Sequence, residues 1–243
     1  MRHGLMKTVH CGHFALDNRI DGRLIIGELF AEGRVMDFAR VLTSEQELRE
    51  LMGEPVSKSV VDKSLSALDR HCRLFISRSP FVLISSSDAD GRSDISPKGD
   101  PPGFVRVLDD HTLAIPERPG NRRLDTFRNV LQNPHVGLIF LIPGKRETLR
   151  VSGTARIVQD AGLAATLSVA GKQPDLCMVI DVEEAFFHCA KCVVRSQLWS
   201  AENWPRIDDL PSLAQTMIDA GRMDVSEQYL QGRIDQDERE RLY

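Results

Sequence analysis

Between Phe81 and Val182 the chain keeps returning to a two-residue apolar alternation in short runs, each closed by a turn, and that pattern leaves few architectures open. Phe81–Ser87 reads as a strand, Asp88-Ala89-Asp90-Gly91 as a turn, and Arg92–Pro97 as the returning strand of a hairpin. Phe104–Leu108 and Thr112–Ile115 form a second hairpin around Asp109-Asp110. His135–Ile142 and Glu147–Val158 follow, joined by Pro143-Gly144-Lys145-Arg146, and Cys177–Val182 is a further strand. Two segments of helical period interrupt the series, Arg118–Pro134 and the alanine-rich Asp160–Ala170. Six or seven strands with so few inserted helices predict a mainly β, α+β domain built as an antiparallel barrel, not a doubly wound sheet.

The first helical interruption is also the strongest chemical signal. Pro119 and Gly120 break the strand before it, Asn121 suits an N-cap, and Leu124, Phe127, Val130 and Leu131 repeat at helical spacing up to Asn133-Pro134. Arg122 and Arg123 would then occupy the first turn, where cations oppose the positive end of the helix dipole. A phosphate would compensate them, because free backbone N–H groups and forked guanidinium donors converge on one tetrahedral anion. Two arginines on a solvated helix are the plain alternative.

Composition narrows the classes further. In 243 residues, 42% apolar content supports a core without staples, and a formal charge of −4 supplies no global basic field for nucleic acid. Five cysteines make no paired disulfide framework, the start of the chain lacks a signal-peptide core, and no run reaches the ~20 apolar residues needed to span a bilayer. A cytoplasmic protein acting on a small molecule is the expectation, with no membrane or nucleic-acid partner. The usual nucleotide signatures, a Gly-x-Gly-x-x-Gly after a strand and a glycine loop closed by Gly-Lys-Ser/Thr, are missing.

Outside the strands, residues 1–35 read as an N-terminal extension with weak periodicity, a candidate for disorder, and Met36 is an alternative start. Its His10-Cys11-Gly12-His13 lacks a second ligand group at finger-like spacing, so no metal site is expected there. Residues 36–80 predict a helical segment: one helix capped by Thr43 or Ser44, with Glu47 in a capping box and Gly53 as its stop, and a second after Pro55. The face of that second helix is Val60, Val61, Leu65, Leu68 and Cys72, and it ends near Ser79-Pro80. The barrel takes residues 81–200, and a tail of one or two amphipathic helices takes 201–243. His188-Cys189 and Cys192 sit at a redox or half-zinc spacing, but a thioredoxin-like context and a second ligand pair are lacking. Lys191, Arg195 and Trp199 are spaced four apart, so a helix would align them on one basic and aromatic face that suits an anionic substrate or the partner's site, with a solvated helix edge as the plain alternative.

The order strand, turn, strand, Asp94-Ile95-Ser96-Pro97-Lys98-Gly99, strand, Leu113-Ala114-Ile115-Pro116, basic turn, helix, Asn133-Pro134, strand, Leu149-Arg150-Val151-Ser152-Gly153-Thr154-Ala155 resembles the pyridoxamine 5′-phosphate oxidase-like flavin-binding split barrels. The likeness spans roughly residues 75 to 200. It implies a six- to seven-stranded antiparallel split β-barrel with peripheral helices, a homodimer, and FMN held between the subunits. Lys98 then matches the strand-end base of the phosphate grip, and Asn121, Arg122 and Arg123 match its turn, with Arg118 at the head of the same basic stretch. Ile115 and Pro116 fall where the family passes backbone along the isoalloxazine, and Thr148 near a position usually held by glutamine. Pro116, Thr148 and the missing Trp-Arg ending depart from the true oxidase, so the resemblance implies an FMN-dependent oxidoreductase on another small molecule. A non-catalytic flavin carrier or sensor, a deazaflavin barrel, and a haem barrel using a histidine such as His188 are the alternatives.

Overall fold

A computed structural model describes residues 38–243 and, before them, the backbone of two short paired strands, β1 (Arg19–Ile20) and β2 (Arg23–Leu24), with Arg19 opposite Leu24. The rest of the extension, including His10-Cys11-Gly12-His13 and Met36, lies outside the described residues. The chain forms two compact units, residues 1–60 and 61–243. In the first, α1 (Glu45–Met52) starts as its sequence dictates: Ser44 Oγ accepts from Glu47 N at 3.2 Å, and Gly53, at φ 74°, stops it. The reciprocal Glu47 carboxylate reaches Thr43 N at 2.9 Å, one residue before the expected partner.

The helix expected after Pro55 is two helices. The short α2 (Lys58–Asp62) ends, Leu65 makes an isolated antiparallel bridge to Ala185, and α3 (Arg70–Arg78) restarts behind a fresh cap. Asp69 accepts from His71 N at 2.9 Å and Cys72 N at 2.8 Å, and the bond from Cys72 N does most to hold its carboxyl below the usual value. Sequence periodicity ran through the gap because the bridge at Leu65 also wants an apolar residue.

The second unit carries a seven-stranded, wholly antiparallel sheet with flanking helices. Its strands are β3 (Phe81–Ser87), β4 (Ser93–Gly99), β5 (Arg106–Val107), β6 (Thr112–Pro116), β7 (His135–Leu141), β8 (Thr148–Val158) and β9 (Cys177–His188). Their order is β4-β3-β7-β8-β9-β6-β5, and the sheet stays open, with β4 and β5 at its edges. The α+β architecture and the antiparallel pairing are those the alternating runs predicted, but the order is not a meander throughout, because β3 pairs with β7 and β9 with β6.

β9 extends past the expected end at Val182, because Glu183 and Glu184, which break the apolar run, are exposed on a strand that continues. A β-bulge makes this possible by shifting the β8–β9 register between Ser152 and Gly153. A side chain does not fit at Gly153: an added Cβ would stand 2.0 Å from Asp181 O.

Register fixes the two faces. Val82, Ile84, Leu138, Phe140, Leu149, Val151, Leu113, Ile115 and Ile180 point inward and, with Cys72, Phe75 and Ile76 of α3, build the main core. Burial pushes the Cys72 thiol up to about 12, so it packs as a small hydrophobe. On the outer face, α5 (Ala161–Thr166) lies by a smaller cluster of Ala114, Leu167, Cys177 and Val179. Among the described residues nothing covers the rest of that face: Phe81, Ile95 and Ile139 are exposed there, next to a 250 Å³ hollow that Leu83 and Phe186 help line.

Beyond the sheet, α6 (Lys191–Ser196) is followed by α7 (Leu213–Gly221) and α8 (Glu227–Glu240), the two helices of the tail. No helix among the described residues is long and apolar enough to cross a membrane.

Candidate cofactor-binding groove

The helix of the basic stretch, α4 (Asp125–Val130), starts later than its periodicity suggested. Asn121 does not cap it. Its Oδ1 accepts from Arg123 N at 3.0 Å, folding residues 121–123 into an Asx turn ahead of the helix. Leu124 takes the N-cap position in the left-handed region, at φ 57° and without a side-chain cap, and Arg122 is also left-handed, at φ 58°. The buried face is Thr126, Phe127 and Val130, while Leu124 and Leu131 are exposed. The first turn carries Asp125 and no arginine, so the dipole conflict inferred from the sequence does not arise.

α4 is nevertheless firmly placed. Asn129 Nδ2 donates to Ser86 Oγ at 3.0 Å and Asn133 Nδ2 to Ser87 Oγ at 2.8 Å, so the helix end is tied to β3. Its start faces the inward side of β4, where Thr126 Oγ1 donates to Asp94 Oδ2 at 3.3 Å. Between β4 and residues 116–127 lies a groove of about 430 Å³, within the ordinary range for ligand pockets. Asp94, Ser96 and Lys98 alternate inward on β4, and Lys98 reaches the opposite wall.

Among the residues expected to hold a cofactor, the groove brings together Lys98, Pro116, Arg118, Asn121, Arg122 and Arg123. Ile115 sits one residue from its edge with the side chain in the main core, so only its backbone could serve a ligand. Pairing with β5 stops at Ala114, which leaves the Ile115–Pro116 stretch of β6 without a strand neighbour on that side. Thr148 is elsewhere: it is buried at the start of β8 opposite His188, whereas Pro116 is opposite Cys177 at the other end of β9.

The groove also holds acids that no local signal marked. Four cations, Lys98, Arg118, Arg122 and Arg123, face Asp94, Glu117 and Asp125, so its field is only weakly positive. Lys98 Nζ is 3.3 Å from Glu117 Oε2. Arg123 Nε donates to Asp125 Oδ2 at 2.6 Å, and Asp125, with Asp94 behind it, raises the guanidinium above its usual pKa. Arg118 Nε donates to Asp100 Oδ2 at 2.6 Å and its Nη2 to Leu167 O at 2.9 Å. Arg122 makes no hydrogen bond or ion pair with the described residues, which leaves it ready for an incoming anion. Glu117 was legible as the neighbour of Arg118, but its pairing with Lys98 needed the fold.

These residues fit the phosphate end of a flavin nucleotide. The left-handed Leu124 leaves the first N–H groups of α4 without a side-chain cap, the Asx turn aims residues 121–123 at the groove, and Arg122 is free. Lys98 would serve only after leaving Glu117.

The family model for pyridoxamine 5′-phosphate oxidase matches residues 68–189, half of the chain. The chain belongs to the pyridoxamine 5′-phosphate oxidase-like family. No curated protein matches it. Among solved structures, HupZ of Group A Streptococcus is 21% identical, with 49% of this chain and 92% of that one covered and a TM-score of 0.41. An FMN-binding protein of Syntrophomonas wolfei is 13% identical, covering 59% and 93%, with a TM-score of 0.39. HutZ, the haem storage protein of Vibrio cholerae, is 16% identical, covering 49% and 93%, with a TM-score of 0.37.

The segment that this oxidase-like chain was expected to offer to a substrate or a partner is differently built. Lys191 and Arg195 are exposed on α6, but Trp199 is not on their helix. Gln197, left-handed at φ 52°, ends α6 with Gln197 N bonded to Val194 O and Leu198 N to Val193 O, a Schellman cap. Trp199 Nε1 instead donates to Lys145 O of its own chain at 2.8 Å. Cys189 and Cys192 are exposed and unpaired, and no cluster of His, Cys, Asp and Glu among the described residues could hold a metal.

Proposed function

We propose that this protein binds FMN in the groove, phosphate end against Lys98, Asn121, Arg122 and Arg123, and acts as an FMN-dependent oxidoreductase on a small molecule. The observation that carries the reading is the convergence of those four residues, from β4 and the turn before α4, on one cavity of about 430 Å³ in a chain of this family. When bound, FMN supplies the electron transfer, and the chain's part is to hold and orient it. Arg122 contributes an uncommitted guanidinium, Arg123 stays charged beside Asp125, and Lys98 exchanges Glu117 for the phosphate. Ile115 and Pro116 offer backbone at the edge of β6, so substitutions that keep the strand should be tolerated there.

A second copy of the chain completes the proposal. Phe81, Ile95 and Ile139 are exposed on one sheet face, where an antiparallel sheet of a monomer usually carries polar residues. A two-fold partner seated there would cover the apolar strip in each copy and close both flavin sites. Lys191 and Arg195 are the exposed cations of α6 that could reach across.

The test is the absorption spectrum of the purified protein with mass spectrometry of the released ligand, followed by flavin titration of an Arg122→Ala/Arg123→Ala variant. Two flavin bands, FMN in the released fraction, and an affinity at least tenfold weaker in the variant are expected, since charge-assisted bonds contribute about 1.5–3 kcal/mol each. A folded variant with unchanged FMN affinity would remove the site. Turnover of a reduced nicotinamide by the loaded protein separates an oxidoreductase from a carrier.

A further inference from the structure

Behind the loop that walls the groove lies another cavity, of about 440 Å³. Residues 117–120, Arg122 and Leu124 form the partition, and the far wall comes from residues 172–176 and from Arg241 and Tyr243. Arg118, Arg122, Lys172 and Arg241 line it together with Glu117 and Asp175. Lys172 Nζ donates to Tyr243 O and Arg241 Nη1 pairs with Asp237 Oδ1 at 3.1 Å, so among the described residues the uncommitted donors are those of Arg118 and Arg122. Glu117 is already engaged by Lys98 on the groove side.

The central cation of this cavity is built in. Arg118 is only 16% exposed and Asp100 2% exposed in their side chains, and their 2.6 Å pair is completed by Tyr243 Oη, which donates to Asp100 Oδ1 at 2.7 Å. That bond pushes the Tyr243 hydroxyl above its usual pKa, so it stays a donor. The Arg118 guanidinium stands 5.7 Å from the Tyr243 ring centroid, within range of a cation–π contact. Nε and Nη2 are occupied by Asp100 and Leu167, while Nη1 has no partner among the described residues. An arginine clamped on one side and open on the other is a preorganised anion ligand. The rest of the lining includes the apolar side chains of Leu176 and Pro174 and the Tyr243 ring.

We propose that this second cavity binds a small aromatic anion, an aryl carboxylate or aryl phosphate, with its charged group on Arg118 Nη1 and Arg122, flanked by Lys172 and Arg241, and its ring against Leu176 and Tyr243. The proposal does not rest on what fills the groove, although Arg122 borders both cavities and the two ligands would lie on either side of it.

The experiment is calorimetric titration of the full chain with phenyl phosphate, benzoate and, as a neutral control, benzyl alcohol. Saturable binding of phenyl phosphate at one site per chain is expected, with no heat from benzyl alcohol. A Lys172→Gln/Arg241→Gln variant should bind phenyl phosphate about tenfold or more weakly and keep its FMN affinity, since neither residue borders the groove. Arg123→Ala, which borders only the groove, should do the converse. If phenyl phosphate does not bind, or if Arg123→Ala abolishes its binding while Lys172→Gln/Arg241→Gln leaves it unchanged, the second site does not exist and the anion is reporting the groove. Equal binding of benzyl alcohol would also overturn it, because charge would then not be what is recognised. Should Lys172→Gln/Arg241→Gln melt early, Tyr243→Leu gives the same reading from the ring side: it should weaken phenyl phosphate and leave FMN alone, and unchanged phenyl phosphate affinity refutes the site.

Discussion

Replacing Glu117 by Gln should tighten FMN binding, an outcome opposite to what removing a residue from a binding site usually brings. Lys98 Nζ and Glu117 Oε2 are 3.3 Å apart and both side chains are 26% exposed, so the pair lies between surface and interior. Unit charges about 4 Å apart attract by about 1 kcal/mol in water and about 4 kcal/mol at an effective dielectric of 20, and exposed pairs usually deliver no more than about 1 kcal/mol. We take about 1 kcal/mol as the attraction a phosphate must displace to recruit Lys98. Glu117 also repels the incoming anion, a cost of similar size, so the neutral amide should lower Kd by roughly fivefold to thirtyfold. Lys98→Ala should raise Kd by roughly tenfold, the lower end for one lost charge-assisted bond. Quenching of flavin fluorescence on apoprotein measures both, and the difference between wild type and Glu117→Gln should shrink in high salt. If Glu117→Gln folds with the wild-type melting temperature and its Kd is unchanged or higher, Lys98 is not a ligand of the phosphate and the orientation proposed for FMN is wrong.

Asp69→Ala should cost about 1 kcal/mol of stability at neutral pH through loss of the α3 cap. Because folding lowers the Asp69 pKa, that contribution is fully present above the unfolded value and fades as pH falls through the folded one, so melting curves of variant and wild type should converge in acid. Gly153→Ala should cost several kcal/mol or prevent folding, since its Cβ would stand 2.0 Å from Asp181 O, a main-chain atom that cannot move without breaking the bulge; a circular dichroism melt within a degree or two of wild type would refute this. If the proposed dimer forms through the exposed sheet face, wild type should sediment as a dimer and Ile95→Glu with Ile139→Glu as a monomer with a melting temperature near wild type; a monomeric wild type would refute the dimer, and an unchanged dimer would place the interface elsewhere.

What could be read from the sequence was whatever a few neighbouring residues decide. The bounds of β3, the Ser44 cap and Gly53 stop of α1, and the β3–β4 hairpin follow from side-chain period and turn chemistry, which act over one or two turns of backbone. Arg122 and Arg123 were legible for the same reason, as basic residues at a turn before a helix, whereas Lys98 was implied only by the family resemblance; the fold gathers the three in one groove.

The errors lie where a distant contact overrules the local pattern. Leu65 fits a helical face, but its bridge to Ala185 interrupts the helix, and Glu183-Glu184 looks like a strand end until the bulge at Gly153 lets β9 run on. Lys191, Arg195 and Trp199 have helical spacing, yet Gln197 turns left-handed and Trp199 bonds to Lys145. The charge balance of the groove was least legible of all. Whether Arg118 and Lys98 are free or engaged depends on Asp100, Tyr243 and Glu117, and Tyr243 meets Asp100 across 143 positions of chain. Side-chain period fixes which way a residue faces along its own element, but an ion pair forms only where folding brings two elements together. The sequence therefore determined the strands and the basic turn before α4, and the tertiary structure decided which of its charges remain unpaired.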